Sequence, residues 1–160
     1  MMTAAPLNPA SPINLQVHVR HVIRRDMPDI LRIESACFEN PWSDFDFKRV
    51  LSCMAIGIVA EVNGRVAGFA IYYLEVDRVD LANLAVDPAF ARRGVGKAMV
   101  EFVKGRVRMY SRKRIIVHPA ENNLDGHVFF RAMGFRCVRI MPRYYKEHGL
   151  DGYRFVWRNA

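Results

Sequence analysis

Three apolar runs within residues 55–86 constrain the fold of this chain more than any other feature. The first two, AIGIVAEV and RVAGFAIYYLEV, are joined by Asn63 and Gly64. Because an Asn-Gly pair accepts the positive φ angles of a type I′ turn, this segment predicts a β-hairpin. The third run, RVDLANLAV, is apolar at nearly every position towards its end, as is typical of a strand covered on both faces. The runs therefore predict a meander whose third strand is central in a sheet.

Helical and strand patterns alternate on either side of this meander. Before it, a short strand precedes a helix capped by Asp26, and a capping box at Ser43 opens a second helix. After it come a helix that begins at Gly94, a strand RIIVH, a helix ended by Gly134, and two final strands, FRCVRIM and YRFVW. The segment between these two, PRYYKEHGLDG, is predicted as a loop or hairpin arm. The order predicts one α/β domain with a mixed, mostly antiparallel central sheet flanked by helices.

We expect this domain to span residues 17–160 and residues 1–16 to form a flexible tail. The first sixteen residues contain three prolines and no charged side chain. No apolar run approaches the roughly 18 residues that a membrane span needs, so no membrane partner is expected. Three scattered cysteines (Cys37, Cys53, Cys137) lack metal-ligand spacing, which indicates buried free thiols in a reducing cytoplasm and no metal site.

The formal net charge of +8 favours anionic partners. The basic residues lie in short clusters along the chain rather than in one tail. A cationic surface around an anionic cofactor explains this distribution as well as nucleic-acid binding does, and we predict no direct nucleic-acid partner. The composition is compatible with a monomer and with a homodimer.

The segment ARRGVGKAMV, residues 91–100, places two glycines and three basic side chains at the start of a predicted helix. It is not a Walker loop, because Ala91 stands at the first glycine position and Ala98 replaces the hydroxyl that would hold magnesium. It is not a dinucleotide fingerprint, because Met99 replaces the third glycine. What remains is a helix start whose free N–H groups suit an anion such as a pyrophosphate.

Two longer stretches carry a family resemblance. LAVDPAFARRGVGKAMVEFV, followed later in the chain by ENN…VFFRAMGF, resembles the GNAT superfamily of acetyltransferases. CFENPWSDFDF and MPRYYKEHGLDGYRF are similar to segments of its RimI-like branch, the ribosomal-protein alanine N-acetyltransferases. The resemblance covers nearly the whole domain. It implies the GNAT fold, acetyl-CoA as the cofactor, and acetyl transfer to a primary amine, most specifically the N-terminal amine of a protein.

The resemblance also assigns cofactor-binding residues by position. The end of the third meander strand should present its backbone to the acetyl and pantetheine groups, and the Val86 N–H should polarise the thioester carbonyl. The glycine-rich helix start should bind the pyrophosphate through backbone amides. The implied cofactor-binding residues are Leu84, Ala85, Val86, Arg92, Arg93, Gly94, Val95, Gly96, Lys97, Ala98, Asn123 and Phe130.

RimI-like enzymes use a glutamate after the strand that follows the pyrophosphate helix, and a tyrosine in the next helix. This chain departs from both, with His118 at the glutamate position and Phe130 at the tyrosine position. A free imidazole titrates at about pH 6.5, so His118 is a reasonable base; the alternative is a strand-end residue held by backbone contacts. Because phenylalanine has no proton to donate, either CoA leaves as a thiolate stabilised by the helix dipole or another hydroxyl supplies the proton. Tyr144 and Tyr145 are the nearest candidate acids, and Tyr73 and Tyr110 are further ones. The implied catalytic residues are His118, Tyr144 and Val86.

The resemblance places Phe38, Trp42, Tyr144 and Tyr145 at the acceptor site, although residues such as Phe38 and Trp42 are more often packing residues. Asp80 faces the cleft in one pleat register of the third strand, where it is a candidate acceptor-site carboxylate; the alternative is an ordinary surface charge. Three functions remain open at this point. The first is an N-terminal protein acetyltransferase, with a ribosomal protein as one candidate acceptor. The second is an acetyltransferase for a small amine. The third is an acyl-CoA-binding regulatory module that has lost catalysis.

Overall fold

A seven-stranded sheet forms the centre of the protein. The computed structural model describes residues 15–160. Residues 1–14 of the predicted tail therefore lie outside the described part of the chain. The strands follow the spatial order β1-β2-β3-β4-β5-β7-β6, and only β4 and β5 are parallel. The strands are β1 (Val17–His21), β2 (Ile56–Val62), β3 (Arg65–Leu74), β4 (Arg78–Val86), β5 (Arg114–Val117), β6 (Arg136–Tyr145) and β7 (Leu150–Arg158). The predicted fold class is confirmed.

Within residues 15–160, four helices cover most of the two sheet faces: α1 (Met27–Cys37), α2 (Asp44–Ser52), α3 (Val95–Met109) and α4 (Leu124–Ala132). Helices α3 and α4 supply apolar side chains to a core cluster on one face. Helices α1 and α2 supply a second cluster, whose strand residues come from β2, β3 and β4. On this second face, therefore, the described helices leave the surface of β5, β7 and β6 open.

The hairpin between β2 and β3 has the predicted turn. Asn63 has a φ of 50° and Gly64 a φ of 74°, and a type I′ turn requires positive values at both positions. Strand β4 is the fourth of seven, so its predicted central place is also confirmed.

The two predicted helix caps have different outcomes. The Ser43 hydroxyl accepts from the Asp46 N–H at 3.2 Å, and the Asp46 carboxylate accepts from the Ser43 N–H at 2.9 Å, so the capping box is confirmed. Asp26 stands at the N-cap of α1, but its side chain makes no capping bond there. Its carboxylate instead accepts from Arg20 and from the Ile23 N–H, each at 2.8 Å, because a 3₁₀ turn precedes α1.

The segment PRYYKEHGLDG is a hairpin arm rather than a loop. Strand β6 continues to Tyr145 and β7 begins at Leu150, with one 3₁₀ turn (Lys146–His148) between them. Because β7 inserts between β5 and β6, β6 is an edge strand with most residues exposed. The β6–β7 arm lies beside the part of the second sheet face that the described helices leave uncovered.

The prediction that the cysteines are buried is wrong, although all three are free thiols. Cys37 ends α1, Cys53 follows α2 and Cys137 lies on the edge strand, so each is at a border of the core. Within residues 15–160, no helix is both long and apolar enough to cross a membrane.

Candidate active site

Strands β4 and β5 separate part-way along their length and leave a wedge between them. Their parallel pairing ends at Leu81 and Val117. Strand β4 continues to Val86, paired with β3, whereas the chain beyond β5 follows β7 through a bridge between Ala120 and Gly152. In open α/β sheets, ligands bind outside the carboxyl ends of strands where neighbouring segments diverge. The wedge is therefore the candidate ligand site.

The backbone of β4 turns polar groups into this wedge. The Asp87 N–H donates to the Ala67 carbonyl at 2.8 Å, and antiparallel pairs alternate between bonded and non-bonded positions. Val86 and Leu84 are consequently non-bonded partners of β3, and their N–H groups face the wedge. Ala85 is bonded to β3. Of the three predicted backbone contacts, the geometry leaves Leu84 and Val86 available.

The N-terminus of α3 lies beside the mouth of the wedge, because a short connection links it to β4. Gly94 caps the helix with a φ of 85°, a left-handed conformation that glycine adopts without strain. The N–H groups of residues 95–97 donate to no acceptor in the described part of the chain. The side chains of Arg92, Arg93 and Lys97 are exposed. Free amides and three cations together make a site suited to a diphosphate.

Three predicted cofactor residues also serve the packing of α3 and α4. Gly96 is buried, and a Cβ there would lie 3.1 Å from the Phe129 ring, so this glycine lets α3 approach α4 closely. Phe130 is 5% exposed and packs against Phe129 in the core. Asn123 accepts from the Gly126 N–H at 2.9 Å as the cap of α4, which leaves its side-chain nitrogen for a ligand.

Val95 and Ala98 offer little to a ligand beyond the backbone of Val95. The Val95 side chain is buried in the core, and the Ala98 N–H donates to the Gly94 carbonyl at 3.0 Å. Phe129, half-buried against Gly96, was not predicted, and only the distance between the two helices reveals it.

His118 lies on the opposite wall of the wedge, one residue beyond the end of β5. It is half-buried, and its Nε2 accepts from the Arg154 Nε–H at 3.0 Å. Burial and then the positive charge of Arg154 lower the pKa of His118; Asp80 opposes them, and Arg78 adds the smallest lowering effect. The imidazole is therefore neutral at pH 7 with its proton on Nδ1, since Nε2 is an acceptor.

Two tyrosines of β6 close over His118. The Tyr144 ring stacks on the imidazole with centroids 4.5 Å apart, and the Tyr145 hydroxyl donates to the His118 carbonyl. A bulge at Arg143, whose φ is 51°, accompanies the turn of both tyrosines towards the sheet. Burial raises the pKa of Tyr145 to about 12, and burial and the charge of Asp80 raise the pKa of Tyr144. Tyr144 is the phenol whose proton is not held by a backbone carbonyl.

Asp80 reaches the same surface from β4. Its carboxylate accepts from the Arg78 Nε–H at 2.8 Å, and Arg78 also lies 3.5 Å from Asp77. The open sheet face thus brings together side chains from four separate segments, which we call the acceptor cluster. Its members are Asp80, His118, Tyr144 and Arg154.

Phe38 and Trp42, predicted at the acceptor site, pack against the core cluster of α1 and α2. Their segment is held by Glu34, which was not predicted. The Glu34 carboxylate is 1% exposed and accepts from the Trp42 N–H at 2.9 Å and from the Asn83 side-chain amide at 3.0 Å. Burial raises the pKa of Glu34. Because Asn83 belongs to β4, this carboxylate ties the α1–α2 segment to one wall of the wedge.

Glu34→Ala is expected to lower the free energy of unfolding by about 2–4 kcal/mol, because two partly buried donors lose their acceptor. The exposed Glu39, in the same segment, supplies a matched control, and Glu39→Ala should cost no more than about 0.5 kcal/mol. Urea unfolding at pH 7 measures both. Because burial raises the pKa of Glu34 in the folded state, the folded protein binds this proton more tightly than the unfolded chain does. The contribution of Glu34 to the free energy of unfolding of the wild type therefore rises as pH falls through the folded-state pKa. Equal losses in the two variants would rule out this anchoring role.

Residues 27–135, which contain the wedge and the start of α3, match the acetyltransferase (GNAT) family. The chain belongs to this family. The resemblance noted in the sequence, the predicted fold and the acetyltransferase activity are thereby confirmed, and the cofactor of this GNAT enzyme is acetyl-CoA.

Among GNAT relatives, the chain is 27% identical over 120 residues to the ribosomal protein bS18 alanine N-acetyltransferase of Escherichia coli K12, covering 75% of this chain and 81% of that protein. The crystal structure of the ribosomal-protein-S18-alanine N-acetyltransferase from Escherichia coli has a TM-score of 0.79 at 23% identity, over 89% of this chain and 94% of that one. A GNAT acetyltransferase from Elizabethkingia anophelis, crystallised with acetyl-CoA, has a TM-score of 0.75 at 14% identity, over 89% and 98%. These two structures share the fold.

The residues at the wedge fit acetyl-CoA. The open amides at the start of α3 and the exposed cations of its loop suit the diphosphate, and a Cβ at Gly94 would meet no atom within 4 Å. The Val86 N–H faces the wedge beyond the point where the pairing of β4 and β5 ends. The protein therefore offers polar groups to the cofactor at two places, the start of α3 and the β4 wall of the wedge.

Proposed function

We propose that this GNAT acetyltransferase acts in the cytoplasm on the N-terminal amine of a protein. The observation that carries the proposal is the open sheet face beside the wedge, where the acceptor cluster lies between the α1–α2 segment and the β6–β7 arm. An open cleft with two aromatic side chains from one arm accommodates a polypeptide end. The similarity to an alanine N-acetyltransferase of a ribosomal protein supports the same acceptor class.

The acceptor amine must be neutral before it attacks. Acetyl-CoA supplies the acetyl group already activated as a thioester. An α-amine has a pKa of about 8, so deprotonation near pH 7 costs only about 1.4 kcal/mol, and a weak base suffices. A lysine side chain, with a pKa of about 10.4, would need more help. In the proposal, neutral His118 receives the proton at Nε2, after this atom has parted from Arg154.

Two further groups have proposed roles. The Val86 N–H donates to the acyl oxygen, where negative charge develops during attack. The Tyr144 hydroxyl, next to the His118 ring, supplies the proton that the departing sulfur takes up. The Tyr145 hydroxyl positions His118 by donating to its carbonyl, and this bond makes Tyr145 the weaker candidate acid.

A free-thiol release assay with purified enzyme and acetyl-CoA tests the acceptor class. The panel contains peptides with a free N-terminus, the same peptides with a formylated N-terminus and an internal lysine, and polyamines. We expect turnover with the free N-termini and little with the other two groups, with mass spectrometry placing the acetyl group on the α-amine. Turnover confined to the polyamines, or to the internal lysines, would contradict the proposal.

A further inference from the structure

Arg154 is a member of the acceptor cluster to which the proposed reaction gives no role of its own. It lies on β7, opposite the segment that carries His118, and donates from Nε to His118 Nε2 at 3.0 Å. Its side chain is half-buried, so the guanidinium is partly withdrawn from solvent. A charge in such a place is stabilised by a partner of opposite sign.

The terminal nitrogens of Arg154 have no such partner in the part of the chain that the structure describes. The guanidinium makes no ion pair there, and its one hydrogen bond uses Nε. Arg78, another cation of the cleft, is compensated, since it bonds to Asp80 at 2.8 Å and lies 3.5 Å from Asp77. The half-buried guanidinium of Arg154 is therefore an uncompensated positive charge at the acceptor end of the cleft.

We infer that Arg154 binds a carboxylate of the acceptor, and that the enzyme prefers protein N-termini with an acidic side chain next to the reacting amine. This inference rests on the proposed function. A planar guanidinium offers two parallel N–H donors to a carboxylate, which gives both strength and direction. An acidic acceptor also suits a positively charged cleft better than a polyamine or a lysine-rich peptide does.

The same carboxylate contact would also determine whether His118 can act as a base. While Arg154 donates to Nε2, the lone pair that would accept the amine proton is occupied. A carboxylate that draws the guanidinium towards itself frees that lone pair and offsets the charge that disfavours protonation of the imidazole. Acceptor recognition and base availability are thus coupled through one side chain. The groups that face His118 are Arg154 from β7, Asp80 and Arg78 from β4, and Tyr144 and Tyr145 from β6.

The test uses pairs of peptides that differ only by Asp against Asn, or Glu against Gln, at the second or third position. With wild-type enzyme we expect the acidic member of at least one pair to have a kcat/KM about tenfold higher or more, as for a charge-assisted hydrogen bond. In Arg154→Gln, which keeps an N–H donor for His118, that ratio should fall to about one. Arg158→Gln is the matched control, since Arg158 is exposed further along the same strand, and should keep the wild-type ratio.

A pH profile separates recognition from a merely structural role. Removing the Arg154 charge raises the pKa of His118 towards its ordinary value, so the acid limb of kcat/KM in Arg154→Gln should move to higher pH. Turnover without a charge preference in wild type, or a preference that survives in Arg154→Gln, overturns this inference alone. If no free N-terminus is acetylated, acidic or neutral, the proposed function falls and this inference falls with it.

Discussion

His118→Ala is expected to lower kcat by about 100- to 10,000-fold, the range typical of losing a general base, while the Kd for acetyl-CoA stays unchanged. The histidine lies on the β5 wall of the wedge, away from the start of α3, so its removal leaves the diphosphate-binding amides in place. Stopped-flow or steady-state thiol release measures kcat, and isothermal titration measures Kd.

The pH dependence gives this prediction a second test. His118 accepts a proton only in its neutral form, and burial together with Arg154 lowers its pKa below the ordinary 6.5. Wild-type activity should therefore persist to more acid pH than an ordinary histidine allows, and fall as pH drops through the lowered pKa. His118→Ala should lose this limb, and added imidazole should restore part of its rate if a base is what is missing.

His18→Ala controls for histidine removal as such. His18 is exposed on β1, at the opposite edge of the sheet, and its loss should leave kcat unaltered. A His118 variant with wild-type kcat at pH 7 would assign that side chain to structure. In that case the proton of an α-amine would leave to water, which its pKa of about 8 permits.

The local features of this fold are readable in the sequence because their causes are local. The Asn63-Gly64 turn needs positive φ at two adjacent residues, and Ser43 reaches the Asp46 N–H within one helical turn. Asp26 shows the limit of such reasoning. Its carboxylate accepts hydrogen bonds from Arg20, a residue of the preceding strand, and from the Ile23 N–H at the start of the 3₁₀ turn. Neither contact follows from helix-capping rules.

The site is harder to read, because its members meet only after the sheet is built. The sequence contains one indication that Glu34 is buried, since it shares the apolar face of α1 with Ile30 and Ile33. Its partner Asn83 could not be predicted, because it lies on a strand far away in the sequence. Arg154 has no signal in YRFVW, where it reads as an outward-facing strand residue. Its contact with His118 follows from the insertion of β7 beside β5, a topology that periodicity does not specify.

The two glycines of the α3 start illustrate the same point within three residues. The resemblance implies a cofactor-binding role for both. Gly96 is required by the neighbouring helix, since a Cβ there would crowd Phe129, whereas Gly94 faces open space and is required by its backbone conformation. Replacing Gly94 therefore probes the ligand site with less disturbance of the core than replacing Gly96.

Gly94→Val is expected to weaken acetyl-CoA binding by about ten- to a hundredfold. A β-branched residue at a φ of 85° carries strain of about 1–3 kcal/mol, and each 1.4 kcal/mol is a factor of ten in Kd. Rotation of the backbone around residue 94 would relieve this strain. The same rotation would turn the N–H groups of residues 95–97 away from the diphosphate of acetyl-CoA. Calorimetry gives Kd, and the rise in melting temperature with acetyl-CoA should shrink in parallel because stabilisation follows ligand occupancy.

Gly64→Val supplies the same backbone strain far from the wedge. Gly64 has a φ of 74°, its Cβ would also meet nothing within 4 Å, and it lies in the β2–β3 turn. Both variants should lose a similar free energy of unfolding without ligand, yet Gly64→Val should bind acetyl-CoA as wild type does. A difference in Kd between them at equal stability isolates the geometry of the α3 amides from general damage. Equal Kd values would instead mean that the helix start does not hold the diphosphate, and the cations of its loop would be ordinary surface charge.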